Sequence, residues 1–342
     1  MAKLNLKPLV GRALKTLSGR NGSILALRHG VEGGEKYTLE RIGQKYGITR
    51  ERVRQIEEAS YEKIRSSDVY KELSSTYFAV EEFLDSYGGV VAEDYLVNNI
   101  VPVSQAPHLS FLLALNNKFI RVPETDKFKT FWASNSQKAN SVCSMIDSSV
   151  KKIKVIGKPI SYEELKEVIK QENIGAIPIG ESNLPVTLAV SKKIQKGPFN
   201  KWGLNNWPQI NPRGVRDKAH LIMEKHGEPL HFRELAKKID EYLYAKNEDR
   251  KTHPQTAHNE LIKDDRFVLI GRGTYALADW GYVPGAVKDV IIHILQEYGK
   301  PMDKEELMDK VKKQRRVQGN TIVLNLQNRN IFKKEGNKYY LA

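Results

Sequence analysis

The sequence predicts a mainly α protein with small β-hairpin wings: an N-terminal helix-turn-helix followed by four tandem winged-helix modules. Two observations predict it. Residues 38–57, TLERIGQKYGITRERVRQIE, set two amphipathic stretches on either side of a glycine. Further along, Gly88, Gly157, Gly227 and Gly299 recur at intervals of 69, 70 and 72 residues, each with a leucine eight positions on. The spans implied are 1–67 for the helix-turn-helix and 70–136, 140–208, 213–282 and 284–342 for the modules.

The first element rests on local chemistry. Leu39, Ile42 and Tyr46 fall at i, i+3 and i+7, one face of a helix. Thr38 precedes them as an N-cap, and Thr49 does the same for the second helix. Gly43 leaves room for a second helix to approach closely, and Gly47 provides the left-handed residue that ends the first. Ile48 plugs the turn, and Val53 and Ile56 face inward. That leaves Arg50, Glu51, Arg54 and Gln55 projecting together. Arginine binds guanine bidentately, glutamine binds adenine and glutamate accepts from the cytosine amino group. A solvated helix whose Glu51 complements the helix dipole is the plainer alternative.

The modules rest on repetition. A helix is expected to end at each glycine. A short extended piece follows, carrying Pro159, Pro229 or Pro301 in three of the four. A second helix then carries Leu96, Leu165, Leu235 or Leu307. A third helix and a β-hairpin close each unit, ending in an aromatic strand: FKTFWA, FNKWGLNNW, TYALADW and KYYLA. The third unit shows this best, with HPQTAHNELIKDD as the helix and RFVLIGRGTYALADW as a hairpin turned at Gly271–Gly273. Trp132, Trp202, Trp207 and Trp280 recur at unit ends, as wing-to-core packing requires.

YTLERIGQKYGITRERVRQIE resembles region four of housekeeping-type bacterial sigma factors, and LSGRNGSILALRHGVEGGEK before it resembles the first half of that region. The resemblance covers about residues 7–67. It implies reading of a promoter −35-like element, with base contacts by Arg50, Glu51 and Gln55 and phosphate contacts near Thr49, Arg52 and Arg54. It also implies that the upstream helices dock on the polymerase β-flap. The chain departs from the pattern after Gln55, where Glu58, Ala59 and Glu62 stand in place of basic residues. No sigma region two is visible, so recognition without DNA melting is expected.

The third unit, through EPLHFRELAKKI and DDRFVLIGRGTYALADW, is similar to the HARE-HTH family found in the δ subunit of Gram-positive RNA polymerase. The resemblance is good over 214–282, fair in the fourth unit and weak in the first two. In the fourth unit Lys312, Lys313, Arg315 and Arg316 precede the expected third helix, and Lys333 and Lys334 flank the wing, a pattern suited to phosphate contacts. Asn325, Gln327, Asn328 and Arg329 are expected within that helix. A solvated basic loop is the alternative. Arg266 and Arg272 bracket the third wing; Lys246, Arg250 and Lys251 precede its helix. Residues 192–201 put four lysines on the second wing, and the first unit, poorer in basic residues, reads as a scaffold.

Composition agrees with a polyanion partner. Across 342 residues, 55 Lys and Arg oppose 41 Asp and Glu, a net charge of +14. Double-stranded DNA is the expected partner, with bacterial RNA polymerase a second. Cys143 is the only cysteine, which excludes an intramolecular disulfide and a multi-thiolate zinc site. No cysteine–histidine cluster, phosphate loop or nucleophile elbow is present, and His231, His253, Ser161 and Ser182 lack catalytic context. The expectations are therefore no enzyme, no cofactor, no metal, no small-molecule ligand, no membrane span and a cytoplasmic location. Two alternatives stay open: a polymerase-binding protein competing with sigma, and a DNA-targeting subunit of a restriction or phage-defence system.

Overall fold

A computed structural model describes residues 3–171, 183–243 and 251–342. It is mainly helical with small antiparallel sheets, and divides into two compact units, Met1–Asn206 and Trp207–Ala342. Lys246, Arg250 and Ser182 lie outside the described residues.

The first unit begins with α1 (Lys7–Lys15) and α2 (Gly19–His29), followed by the pair α3 (Leu39–Tyr46) and α4 (Arg50–Arg65). The caps are those the sequence implies. The Thr38 Oγ1 accepts from the Arg41 N–H at 3.1 Å, and the Thr49 Oγ1 accepts from the Arg52 N–H at 3.1 Å. Gly47 ends α3 at φ +65°. Ile24, Ile42 and Val53 form a fully buried core, walled by Leu39, Tyr46, Ile48 and Ile56. A Cβ on Gly43 would stand 2.6 Å from the Ile48 carbonyl oxygen. Gly43→Ala is expected to destabilise the head. The overlap costs about 1–3 kcal/mol or more, against roughly 1 kcal/mol returned in helix propensity. A lower urea midpoint checks this; an unchanged midpoint would refute the close approach.

The chain continues through α5 (Asp68–Glu72), α6 (Ser74–Ser86), β1 (Val90–Ala92), α7 (Glu93–Ile100), α8 (Ala106–Leu115), β2 (Ile120–Val122) and β3 (Phe131–Ala133). The sheet order is β1-β3-β2. The head is not separated from this module by a linker. Leu6, Val10, Ala13, Leu25 and Ala26 at α1 and α2 and Ile64 of α4 lie in one core with Leu73, Leu84, Leu96, Phe111 and Leu112. The Leu4 N–H donates to the Ile100 carbonyl at 2.8 Å, and the Arg65 Nε donates to the Leu115 carbonyl at 2.8 Å. Residues 67–70 thus mark a change of architecture inside a continuous core.

At this seam His29 is buried. Its Nε2 stands 2.6 Å from the Tyr61 hydroxyl, which donates to Glu57 at 3.2 Å, so His29 acts as the donor to Tyr61. Burial, and then the charges of Arg28 and Lys36, push the His29 pKa down to about 3. The folded state therefore keeps His29 neutral while the unfolded chain protonates it near its ordinary value. The stability of neutral His29 is intact well above its ordinary pKa and is lost as pH falls through about 6.5 toward 3. His29→Gln is expected to remove that part of the slope when urea midpoints are compared between neutral and mildly acidic pH.

The unit closes with α9 (Ser136–Ile156), α10 (Tyr162–Gln171), α11 (Leu184–Leu188), β4 (Ile194–Lys196) and β5 (Trp202–Leu204). Ile160 replaces a full strand with a two-way backbone bridge to Trp202, at 2.8 and 2.9 Å. Backbone bonds from Lys129 to Val190 and from Lys192 to Lys127, both 2.8 Å, tie this part to the loop before β3.

The second unit repeats the order twice. First come α12 (Val215–His226), β6 (Leu230–His231), α13 (Phe232–Leu243), α14 (Pro254–Ile262), β7 (Phe267–Gly271) and β8 (Thr274–Leu277). Then follow α15 (Val287–Tyr298), β9 (Met302–Asp303), α16 (Lys304–Gln314), α17 (Gly319–Leu326), β10 (Phe332–Glu335) and β11 (Lys338–Leu341). The sheets run β6-β8-β7 and β10-β11-β9, the same arrangement as in the β1-β3-β2 sheet, whereas β4 and β5 form a two-stranded sheet. The repeat has a physical basis. Gly157, Gly227 and Gly299 each cap a helix at positive φ, and Leu96, Leu165, Leu235 and Leu307 are each completely buried. Gly273 turns the third wing at φ +67°. Trp132 and Trp202 are buried, and Trp280 packs on the wing cluster of Val268, Ile270 and Ala276.

Candidate nucleic-acid interface

The helix-turn-helix presents one end of α4 to solvent. Val53 faces the core, and Thr49, Arg50, Glu51, Arg52, Arg54 and Gln55 are all exposed. Among the described residues of the first unit, none covers this edge. Its side chains are organised along the helix. Arg54 Nη2 donates to Glu51 at 2.7 Å and its Nη1 donates to Glu58. Arg52 Nη1 donates to the Gln55 side-chain oxygen at 3.1 Å. The Arg54 hydrogen bonds hold the Glu51 carboxyl below the usual carboxylate range, so it is an ionised acceptor at neutral pH.

Arg50 differs from its neighbours. Among the described residues its guanidinium makes no side-chain hydrogen bond, although it occupies the first turn of α4, where the helix dipole disfavours a cation. Thr49 uses an acceptor lone pair for its cap and keeps its hydroxyl proton for another partner. The acids that break the expected basic run are paired. Glu58 bonds Arg54, and Glu62 bonds Arg65 at 2.7 Å. Arg54 is thus shared between two carboxylates and Arg52 is held by the Gln55 amide, which leaves Arg50 as the arginine of this edge with no side-chain hydrogen bond among the described residues.

Two side chains that sequence reasoning passed over lie on α3. Arg41 places its guanidinium 3.8 Å from the centroid of the Tyr37 ring, with Lys45 5.7 Å from it. Both are exposed. Their i, i+4 spacing on the polar face of α3 was the available signal.

The basic run of the fourth module does not form one surface. Arg315 is buried, 4 % exposed, and its Nη2 donates to the carbonyls of Val283 and Gly285 at 2.8 and 2.5 Å. The expectation of a phosphate contact there is corrected: this guanidinium clamps the chain entering α15 and is shielded from any phosphate. No local pattern signals this, because both acceptors are backbone atoms some thirty residues away. Lys312 and Lys313 are exposed in the last turn of α16, where they also complement the helix dipole. Arg316 is exposed while its N–H donates to the Ile270 carbonyl at 2.8 Å. Lys333 and Lys334 stand on β10 beside Arg329 and Tyr340, along an open groove of about 780 Å³ with no carboxylate in its lining. Lys313 lines a different groove, with Glu297 and Tyr298. Because α17 ends at Leu326, Gln327, Asn328 and Arg329 lie beyond the helix rather than in it.

In the third module Arg266 is neutralised. It bonds Asp264 at 2.7 Å and Asp217 at 3.0 Å, and these carboxylates raise its pKa further. It fastens the wing to α12. Arg272 at the wing turn and Lys251 are exposed. His231 and His253 accept backbone N–H groups at helix starts, each at 3.3 Å. Among the described residues no three side chains are grouped to hold a metal ion, and no helix is long and apolar enough to cross a membrane.

Comparison with known families agrees with the two resemblances. Residues 13–66 match the family described as sigma-70, region 4. Residues 214–280 match the HARE-HTH family, whose description includes the restriction endonuclease HTH domain. RNA polymerase sigma factor SigA of Listeria monocytogenes is 41% identical over 68 residues, 20% of this chain and 18% of that protein. RNA polymerase sigma factor SigA1 of Synechococcus elongatus is 45% identical over 65 residues, 19% of this chain and 16% of that protein. The chain therefore spans less than a fifth of these relatives.

Proposed function

We propose that this chain is a sequence-reading, double-stranded DNA-binding protein of transcription that works beside bacterial RNA polymerase, with α4 entering the major groove of a −35-like element. One observation carries the reading: Arg50, Glu51 and Gln55 stand exposed on one edge of the second helix of a sigma region-four-like helix-turn-helix, and the Arg50 guanidinium makes no side-chain hydrogen bond among the described residues. A guanine edge would provide the two acceptors that Arg50 is missing, and Glu51 and Gln55 offer an acceptor and an amide to neighbouring bases. Thr49, Arg52 and Arg54 fix the register on phosphates. Lys312, Lys313, Arg316, Lys333 and Lys334 add phosphate contacts from the fourth module.

Contact with polymerase is assigned to surfaces other than the apolar faces of α1 and α2. Leu6, Val10 and Leu25 on those faces are buried in one core with Leu96, Phe111 and Leu112 of the first module. A β-flap docking there would have to displace a packed core, which counts against a pure competitor of sigma. A second reading, a DNA-targeting subunit for a separate nuclease or methylase, is favoured by the match of residues 214–280 to a family that includes restriction endonuclease HTH domains.

Selection of bound duplexes from a random pool, with and without core polymerase, tests the proposal. Enrichment of a short motif that sharpens when polymerase is present is the expected result. Retention of random and selected duplexes alike would remove the specific reader. Enrichment that ignores polymerase would favour the second reading.

A further inference from the structure

The seam between the head and the first module holds a cleft of about 380 Å³. Three cations stand at it: Arg28, Lys36 and Arg121. Two are compensated. Arg28 Nε donates to Glu57 at 3.3 Å, and Arg121 Nε donates to Glu93 at 2.7 Å. Lys36 has a different environment. Its Nζ reaches the Ser110 hydroxyl at 3.3 Å and, among the described residues, no carboxylate within ion-pair distance. Partial burial of the ammonium lowers its pKa, Glu93 opposes that, and the positive charges of Arg121 and Arg28 lower it further. The cations therefore outnumber the carboxylates around one point, and Lys36 sits at that point.

Part of the lining is aromatic. Tyr61, Phe119 and Trp132 border the cleft, the last two almost wholly buried by the module core. The Tyr61 hydroxyl is already engaged by His29 and Glu57. His29 is neutral, so it adds no charge. The volume is at the small end of ligand pockets, which run from roughly 300 to 1,000 Å³. A cavity with an apolar ring-shaped side and one uncompensated cation with donors beside it matches an amphiphilic anion. Neither a bare metal ion nor a neutral ligand suits that charge.

We propose that this cleft binds a small organic oxyanion carrying a planar ring. The oxyanion lies on the Lys36 ammonium and the terminal guanidinium nitrogens of Arg121, and the ring lies toward Phe119 and Trp132. Mononucleotides and aromatic carboxylates share this chemistry. Because the walls come from both α4 and the first module, a bound ligand cross-links them and stabilises the unit. The site is independent of whether α4 reads DNA.

Calorimetric titration of the full chain with adenosine 5′-monophosphate, 4-hydroxybenzoate and adenosine tests it, with a melting curve for each. Saturable binding of one anion, a raised melting temperature and no binding of adenosine are expected. Whichever anion binds identifies the source of the oxyanion. Lys36→Met is expected to melt like the parent without ligand and to lose about tenfold or more in affinity. Lys36→Gln serves as a second variant should methionine alter the fold. Failure of both anions to bind, adenosine binding as tightly as its monophosphate, or unchanged affinity in the Lys36 variants would overturn the proposal.

Discussion

Arg50→Ala is expected to weaken binding to a selected duplex by about 1–3 kcal/mol, roughly 5- to 150-fold, while leaving binding to scrambled duplexes nearly unchanged. The argument is one of partners. Arg54 already has two carboxylates, and Arg52 has the Gln55 amide oxygen. Their hydrogen bonds are in place before DNA arrives. Arg50 has no such partner among the described residues, and it stands in the first turn, where its charge opposes the dipole. A guanine edge would satisfy it bidentately. Fluorescence anisotropy on selected and scrambled duplexes at two salt concentrations checks this. If both affinities fall equally and the salt slope drops by about one, Arg50 is a phosphate contact and its base-reading role is lost. The Glu51 carboxylate keeps lone pairs beyond those that accept from Arg54, so Glu51→Ala is expected to relax preference at one position more than it lowers affinity.

Phe111→Ala is expected to cost about 3–5 kcal/mol, the usual range for emptying a phenylalanine site in a closed core. Phe111 has no exposed surface, and its ring meets His29 edge-on at 5.3 Å and Tyr61 at 6.4 Å. It belongs to α8 of the first module but packs against the head. The head and that module should therefore lose stability together, in one urea transition seen by both helical circular dichroism and tryptophan fluorescence. Two separated transitions, with the head melting at its original midpoint, would show that the common core is not cooperative.

The helix-turn-helix was legible because its determinants are local. Thr38, Gly43, Gly47, Thr49 and Val53 act on neighbours within a few residues, and each does in the structure what its chemistry implies. The modules were legible for a different reason. A leucine at one register position is buried in every copy, and repetition makes a weak signal visible. Three features escaped because they depend on distant parts of the chain. Leu6 and Val10 look like any amphipathic face until Leu96 and Phe111 meet them. Arg315 looks like part of a basic run until the Val283 and Gly285 carbonyls close on it. Arg266 looks like a wing cation until Asp217 reaches it. At the reading edge, exposure and pairing came from the structure, whereas the choice of residues came from spacing and from the sigma resemblance.

The common core of head and first module bears on how tightly a groove could be held. A reading helix on a free tether must give up orientational freedom each time it docks, and that loss subtracts from affinity. Here α4 runs for 16 residues, about 24 Å, from the solvent edge at Arg50 to Ile64, which is embedded among the residues of the neighbouring module. The swivel is removed once, when the chain folds. Association with a duplex then proceeds from a preorganised surface, and the first module arrives in a fixed azimuth relative to whatever base pairs the helix meets.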